Sequence, residues 1–115
     1  DKKGKIYSIR GLSDKNADIA KVPIYQMFMP NYPERLPFIP HGLDILNDKL
    51  YVINHANKYG GERIEVFQIE MDRLTLIHLY SITSIQLDEI GYFSLNSIAV
   101  VDENTLFATQ FIPTD

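Results

Sequence analysis

The feature that most restricts what this chain can fold into is a hairpin pattern that occurs twice. HGLDILNDK-LYVIN, from His41 to Asn54, lies over NSIAVVDENTLFATQ, from Asn96 to Gln110, with one gap in the first copy. Leu43, Ile45 and Leu46 then fall on Ile98, Val100 and Val101. The turn Asn47-Asp48 falls on Asp102-Glu103, and Leu50-Tyr51 on Leu106-Phe107. The shift at the start of the pattern is 55 residues. A weaker echo at a similar distance links GKIYSI with ERIEVF. β-branched and aromatic segments flanking turns of Asn, Asp and Glu read as antiparallel strands in hairpins.

The remaining apolar segments have the same character. KIYSIR (5–10) precedes the polar loop GLSDKNAD, and KVPIYQMFM (21–29) follows it. Pro30, Pro33, Pro37 and Pro40 then exclude a helix, because each withholds a backbone donor and biases its predecessor to extended geometry. RIEVFQIE (63–70), the turn MDR and LTLIHLYSI (74–82) form another hairpin, and a weak helical pattern covers 83–89. The class is all-β. Four strands per unit at a period near 50 residues is the signature of a β-propeller blade. On that reading 42–82 is one complete blade, 5–29 supplies outer strands of the blade before it, and 96–111 supplies inner strands of the blade after it.

The repeat also places chemistry. His41 lands on Asn96, so both start the innermost strand of successive blades, where strand ends face the central channel. His55 ends the strand that pairs with the one His41 begins, and the antiparallel partner of a strand start is a strand end. His41, His55 and Asn96 are therefore expected to converge. On residue type alone, a histidine between Pro40 and Gly42 is more often a turn or hydrogen-bonding residue. An Asn-His strand end suits a solvated cap, and an asparagine at a strand start suits a local turn bond.

Composition narrows the functions available. A formal net charge of -4, with no clustered Lys and Arg, gives no electrostatic footprint for nucleic acid. No apolar run approaches the roughly 18 residues of a membrane span, so any membrane association would come from outside this segment. There is no cysteine, which leaves only oxygen or imidazole as metal ligands within these residues.

PHGLDI, LYVINH, the RIEVFQIE–LTLIHLYSI hairpin, LNSIAVV and LFATQF, taken in order, resemble the paraoxonase/arylesterase family. These are six-bladed propellers that hydrolyse esters and lactones with calcium in the central channel. The resemblance runs from about Gly4 to Phe111, about a third of a family member. It implies that His41 is the general base and His55 its partner in a histidine dyad. It implies that Asn96 gives a side-chain oxygen to the catalytic calcium, and that Leu43 gives a backbone carbonyl to a second, structural calcium. The family has an aspartate for that second ion where this chain has Ser97, a poorer ligand for a hard cation. The family's other ligands, an acidic pair upstream and an asparagine and an Asp-Asn pair downstream, fall outside these residues. The family is typically secreted or membrane-associated on the luminal side.

The expected function is thus calcium-dependent hydrolysis of a small-molecule ester or lactone, within a longer chain. The alternative is a non-catalytic propeller serving as a structural or protein-interaction subunit of an assembly. A gluconolactonase-like or strictosidine-synthase-like propeller fits less well, since those families lack the histidine dyad. One blade and two partial ones leave open sheet edges. Closure is expected from the rest of the protein's own propeller or from other chains, and the 115 residues alone are expected to be poorly stable and inactive. His78 reads as a packed or hydrogen-bonded structural residue, and Asp44 as a lesser candidate for the channel. The tyrosines and phenylalanines read as core, and Glu62, Glu65 and Glu70 as solvent-facing.

Overall fold

The computed structural model describes residues 3–13, 21–57, 61–90 and 94–111. Most of the GLSDKNAD loop, Gly60 and both chain ends lie outside the described residues. Among the described residues there are three antiparallel sheets. The first pairs β1 (Tyr7–Ile9) with β2 (Ile24–Gln26). The second has four strands in the order β3 (Pro40–Leu46), β4 (Lys49–Asn57), β5 (Gly61–Glu70), β6 (Thr75–Ile82). The third pairs β7 (Leu95–Asp102) with β8 (Thr105–Gln110), and a short helix α1 (Ile85–Ile90) precedes it. Among the described residues no helix is long and apolar enough to cross a membrane.

The turns are local chemistry. Leu46 pairs directly with Lys49, so only Asn47 and Asp48 cross between β3 and β4, and Asn47 takes the left-handed backbone that asparagine tolerates (φ 57°). Between β7 and β8 the Asp102 carboxylate accepts the Asn104 N–H at 2.8 Å. The strand expected over 21–29 is cut at both ends. Pro23 has no N–H to give, and Phe28 leaves β1 to bridge Thr75 of β6, exchanging 2.8 Å backbone bonds with Leu74 and Leu76.

Strand alternation gives the four-stranded sheet two apolar faces, and each has its own core. Leu50, Val52, Phe67 and Leu76 pack with Met27 and Phe38 on one side. Tyr51, Ile53, Ile64 and Val66 pack with Leu95 and Ile98 on the other, flanked by Leu87 and Ile90 of α1. Phe38 sits in the proline-rich connection yet is fully buried, its ring 5.9 Å from Phe67 and 5.2 Å from Tyr32. Burying one such side chain contributes about 2–3 kcal/mol, so this connection is fastened by its own aromatic residue.

Not every aromatic residue belongs to these cores. Tyr7, Tyr25, Phe28, Tyr80, Phe107 and Phe111 are exposed, against the expectation that they pack inside. Most of them lie on or beside the two outer strand pairs, whose far sides meet no further sheet among the described residues.

Candidate functional site

Three β-bulges build the site. Along β3 the register passes from Pro40↔Asn54 to Leu43↔Val52, so β3 carries one extra residue at His41-Gly42. Along β7 it passes from Leu95↔Gln110 to Ile98↔Ala108, which puts the same irregularity at Asn96-Ser97. Along β4 it passes from Asn54↔Arg63 to Asn57↔Gly61, placing the extra residue at His55-Ala56 opposite Glu62. A bulge bends its strand and re-aims a side chain. Here each of the three candidate side chains sits in one.

β3 and β7, the edge strands of adjacent sheets, run close together. A Cβ on Gly42 would collide with the Asn96 carbonyl oxygen and stand 2.7 Å from Ser97 Cα, so only glycine fits. Asp44 pins the same pair. Its carboxylate accepts the Val100 N–H at 2.7 Å and the Ile45 N–H at 2.8 Å. These bonds, that from Val100 foremost, hold its carboxyl below the usual carboxylate range. Asp44 is therefore a clamp between sheets, and both its oxygens are engaged with backbone.

The close approach brings His41, His55 and Asn96 together, as the repeat implied. His41 Nε2–H donates to Asn96 Oδ1 at 2.8 Å. The His41 and His55 rings meet edge to face, centroids 5.2 Å apart and planes at 69°. Their surroundings differ sharply: His41 is exposed, whereas His55 is 3% exposed. A reacting group must be reached, and an orienting group must be held; this pair offers one of each.

Two carboxylates are not where the sequence reading put them. Glu62 and Glu65 are fully buried rather than solvent-facing. Glu62 stands one residue inside the start of β5 and Glu65 in its middle; strand alternation aims one at each core, and each meets a histidine. Glu62 places both carboxylate oxygens 2.8 Å from His55 Nδ1, and Oε2 also accepts the Leu95 N–H at 3.1 Å. Glu70, at the end of the strand, is half-buried and 4.0 Å from Arg73.

Glu65 anchors a separate network on the opposite face. Its Oε1 accepts from His78 Nε2 at 2.9 Å and from the Ser81 hydroxyl; its Oε2 accepts from Asn54 Nδ2 at 2.9 Å and Arg63 Nε at 3.1 Å. Burial pushes this carboxyl up, but the hydrogen bonds of His78, Asn54 and Ser81 and the Arg63 charge outweigh it, bringing it down to about 2. Asn54 also donates to Tyr32 Oη at 3.1 Å and the Pro37 carbonyl at 2.9 Å, and accepts the Ile39 N–H at 2.8 Å. Asn54 thereby ties the proline-rich connection to β4 immediately before His55. Desolvation raises the Tyr32 phenol well above its ordinary value, so it stays protonated and donates to the Pro37 carbonyl at 2.9 Å. His78 has the structural, hydrogen-bonded place expected of it.

Asn96 Oδ1 is a hard oxygen donor of the kind calcium prefers. Leu43 lies on β3 opposite Val52, with its side chain about half exposed. The hydroxyl of Ser97 is 3.2 Å from Thr109 Oγ1, which also accepts the Ser97 N–H at 3.1 Å. A neutral hydroxyl engaged in this way does not replace a carboxylate ligand, so these residues do not fit a structural calcium beside Leu43. Among the described residues no group of three or more His, Asp or Glu side chains could hold a metal by itself.

No protein-family model matches the chain, and no curated protein matches it.

Proposed function

We propose that this chain forms part of a calcium-dependent ester and lactone hydrolase of β-propeller form, similar to the paraoxonase/arylesterase family. The observation that carries the reading is the contact between the exposed His41 and the buried His55, with Asn96 bonded to His41. The recurrence of the same bulge at His41-Gly42 and Asn96-Ser97 supports treating the two hairpins as successive copies of one unit. The apolar cores on both faces of the four-stranded sheet favour a stack of blades, and the exposed Ile9, Ile24, Val101 and Phe107 favour further sheets beyond the outer pairs.

His41 is the group that a substrate can reach, and it takes the proton from the attacking water. His55, shielded and oriented, holds or relays that proton. Asn96 Oδ1 fits as one ligand of the catalytic calcium. That ion takes about six to eight oxygens, so the others come from further parts of the protein or from other chains. When bound, calcium supplies polarisation of the scissile carbonyl and charge stabilisation for its developing oxyanion.

The test is hydrolysis of an aryl ester and a lactone by the intact protein, with calcium and after chelation. Chelation should abolish turnover. His41→Gln should lower kcat by about 10²–10⁴-fold, the usual worth of a general base. Turnover unchanged in His41→Gln would remove the proposed role of this residue.

A second reading, a non-catalytic propeller within an assembly, draws on Ser97. Its hydroxyl is turned to Thr109 where the family pattern has a calcium-binding aspartate. Absence of any calcium-dependent hydrolysis by the intact protein would favour it.

A further inference from the structure

Glu62 is a buried carboxylate that the dyad does not explain. Burying such a charge costs several kcal/mol unless it is paired and hydrogen-bonded. The fold supplies two donors: the His55 ring at Nδ1, 2.8 Å away, and the Leu95 N–H at 3.1 Å. Leu95 directly precedes Asn96, so this one carboxylate grips both the second histidine and the backbone that carries the asparagine. Glu62 reaches them because the β4 bulge at His55-Ala56 places two residues opposite it.

We propose that Glu62 is a positioning residue that fixes His55 as the Nδ1–H tautomer and seats Asn96 beside His41. A carboxylate only accepts hydrogen bonds, so a neutral His55 carries its proton on Nδ1 and keeps Nε2 as its single basic nitrogen. In the other tautomer Nδ1 and the carboxylate would oppose two lone pairs at 2.8 Å, with no solvent to separate them. His41 is set in the opposite sense: its Nε2–H is given to Asn96 Oδ1, which leaves Nδ1 as the basic atom. The result is a chain from Glu62 to His55 to His41 in which an acceptor fixes the tautomer of each imidazole. This role rests on the hydrolase reading, whereas the tautomer itself does not.

The experiment uses intact protein labelled with ¹⁵N at histidine. Long-range ¹H–¹⁵N spectra at high pH report the tautomer of each ring, and hydrolysis of an aryl ester is measured on the same samples. In wild type, His55 should carry its proton on Nδ1. In Glu62→Gln the Leu95 N–H claims the amide oxygen, the amide NH₂ faces Nδ1, and the proton should move to Nε2. Hydrolysis should then fall, by no more than the roughly 10²–10⁴-fold expected for loss of the general base His41 itself. A wild-type His55 protonated on Nε2 alone overturns the assignment without any variant having to fold. A tautomer switch in Glu62→Gln with hydrolysis unchanged overturns it as well. Wild type with the Nδ1–H tautomer and no hydrolysis leaves Glu62 as the residue that orients His55 and sinks only the enzyme.

Discussion

Replacing Glu65 with glutamine should convert a densely hydrogen-bonded polar cluster into a measurable loss of stability that depends on pH. Four donors converge on this fully buried carboxylate, from His78, Ser81, Asn54 and Arg63. Together they bring its pKa from 4.5 to about 2. A carboxyl depressed on folding stabilises the protein above its unfolded pKa, and that contribution fades as pH falls through the window between the two values. The fall corresponds to about 3 kcal/mol at pH 7, of which about 1 kcal/mol remains at pH 3. Glutamine removes the charge and turns an NH₂ toward two donors, which adds about 1–3 kcal/mol that does not vary with pH. Urea unfolding of intact wild type and Glu65→Gln at pH 7 and pH 3 separates the two parts. The gap between the proteins should shrink by about 2 kcal/mol on acidification. A gap of constant size would refute the claim that the ionised carboxylate organises this cluster.

Two further perturbations probe the β3–β7 seam. Gly42→Ala puts a methyl group against the Asn96 carbonyl and Ser97 Cα, both backbone and unable to yield like a side-chain tip. It should cost about 1–3 kcal/mol in thermal or urea unfolding and lower ester hydrolysis, because His41 and Asn96 move apart. Unchanged unfolding would mean the strands are not in close contact. Asp44→Ala should speed amide hydrogen exchange at Val100, whose N–H loses its carboxylate acceptor. Exchange at wild-type rate would show that the clamp does not hold the two sheets together.

Much of the secondary structure could be read from residue order. Each of the eight strands among the described residues overlaps an apolar segment, because β-branched and aromatic runs between Asn, Asp and Gly turns favour paired extended backbone. But β3, β4, β5 and β7 run on into the flanking turn residues, and β5 thereby takes in Glu62. The weak helical pattern near 83–89 became α1, at Ile85–Ile90. The meeting of His41 and Asn96 was legible from the repeat, which makes them equivalent positions of two hairpins, and that of His55 with His41 from antiparallel pairing, which sets a strand end beside a strand start. Glu62 and Glu65 were misplaced because glutamate is usually exposed, and one strand's alternation does not say that both of its faces are covered. A signal was nevertheless present. Glu62 and Glu65 stand in a strand paired with the one carrying Asn54 and His55, and cross-strand acid–imidazole pairing is an available way to bury both.

Period-2 hydrophobicity and turn chemistry, both written in the chain, set the strands, the hairpins and the doubling of one hairpin. What only the tertiary structure decided is the aim of the side chains. Bulges at His41-Gly42, His55-Ala56 and Asn96-Ser97 depend on how paired strands count residues against each other, and no single strand carries that count. β7 with α1 on one face of β4 and β5, and the proline-rich connection with Tyr32 and Phe38 on the other, then enclosed the two glutamates. Burial made their hydrogen bonds to histidine obligatory, because neither carboxylate has water to turn to.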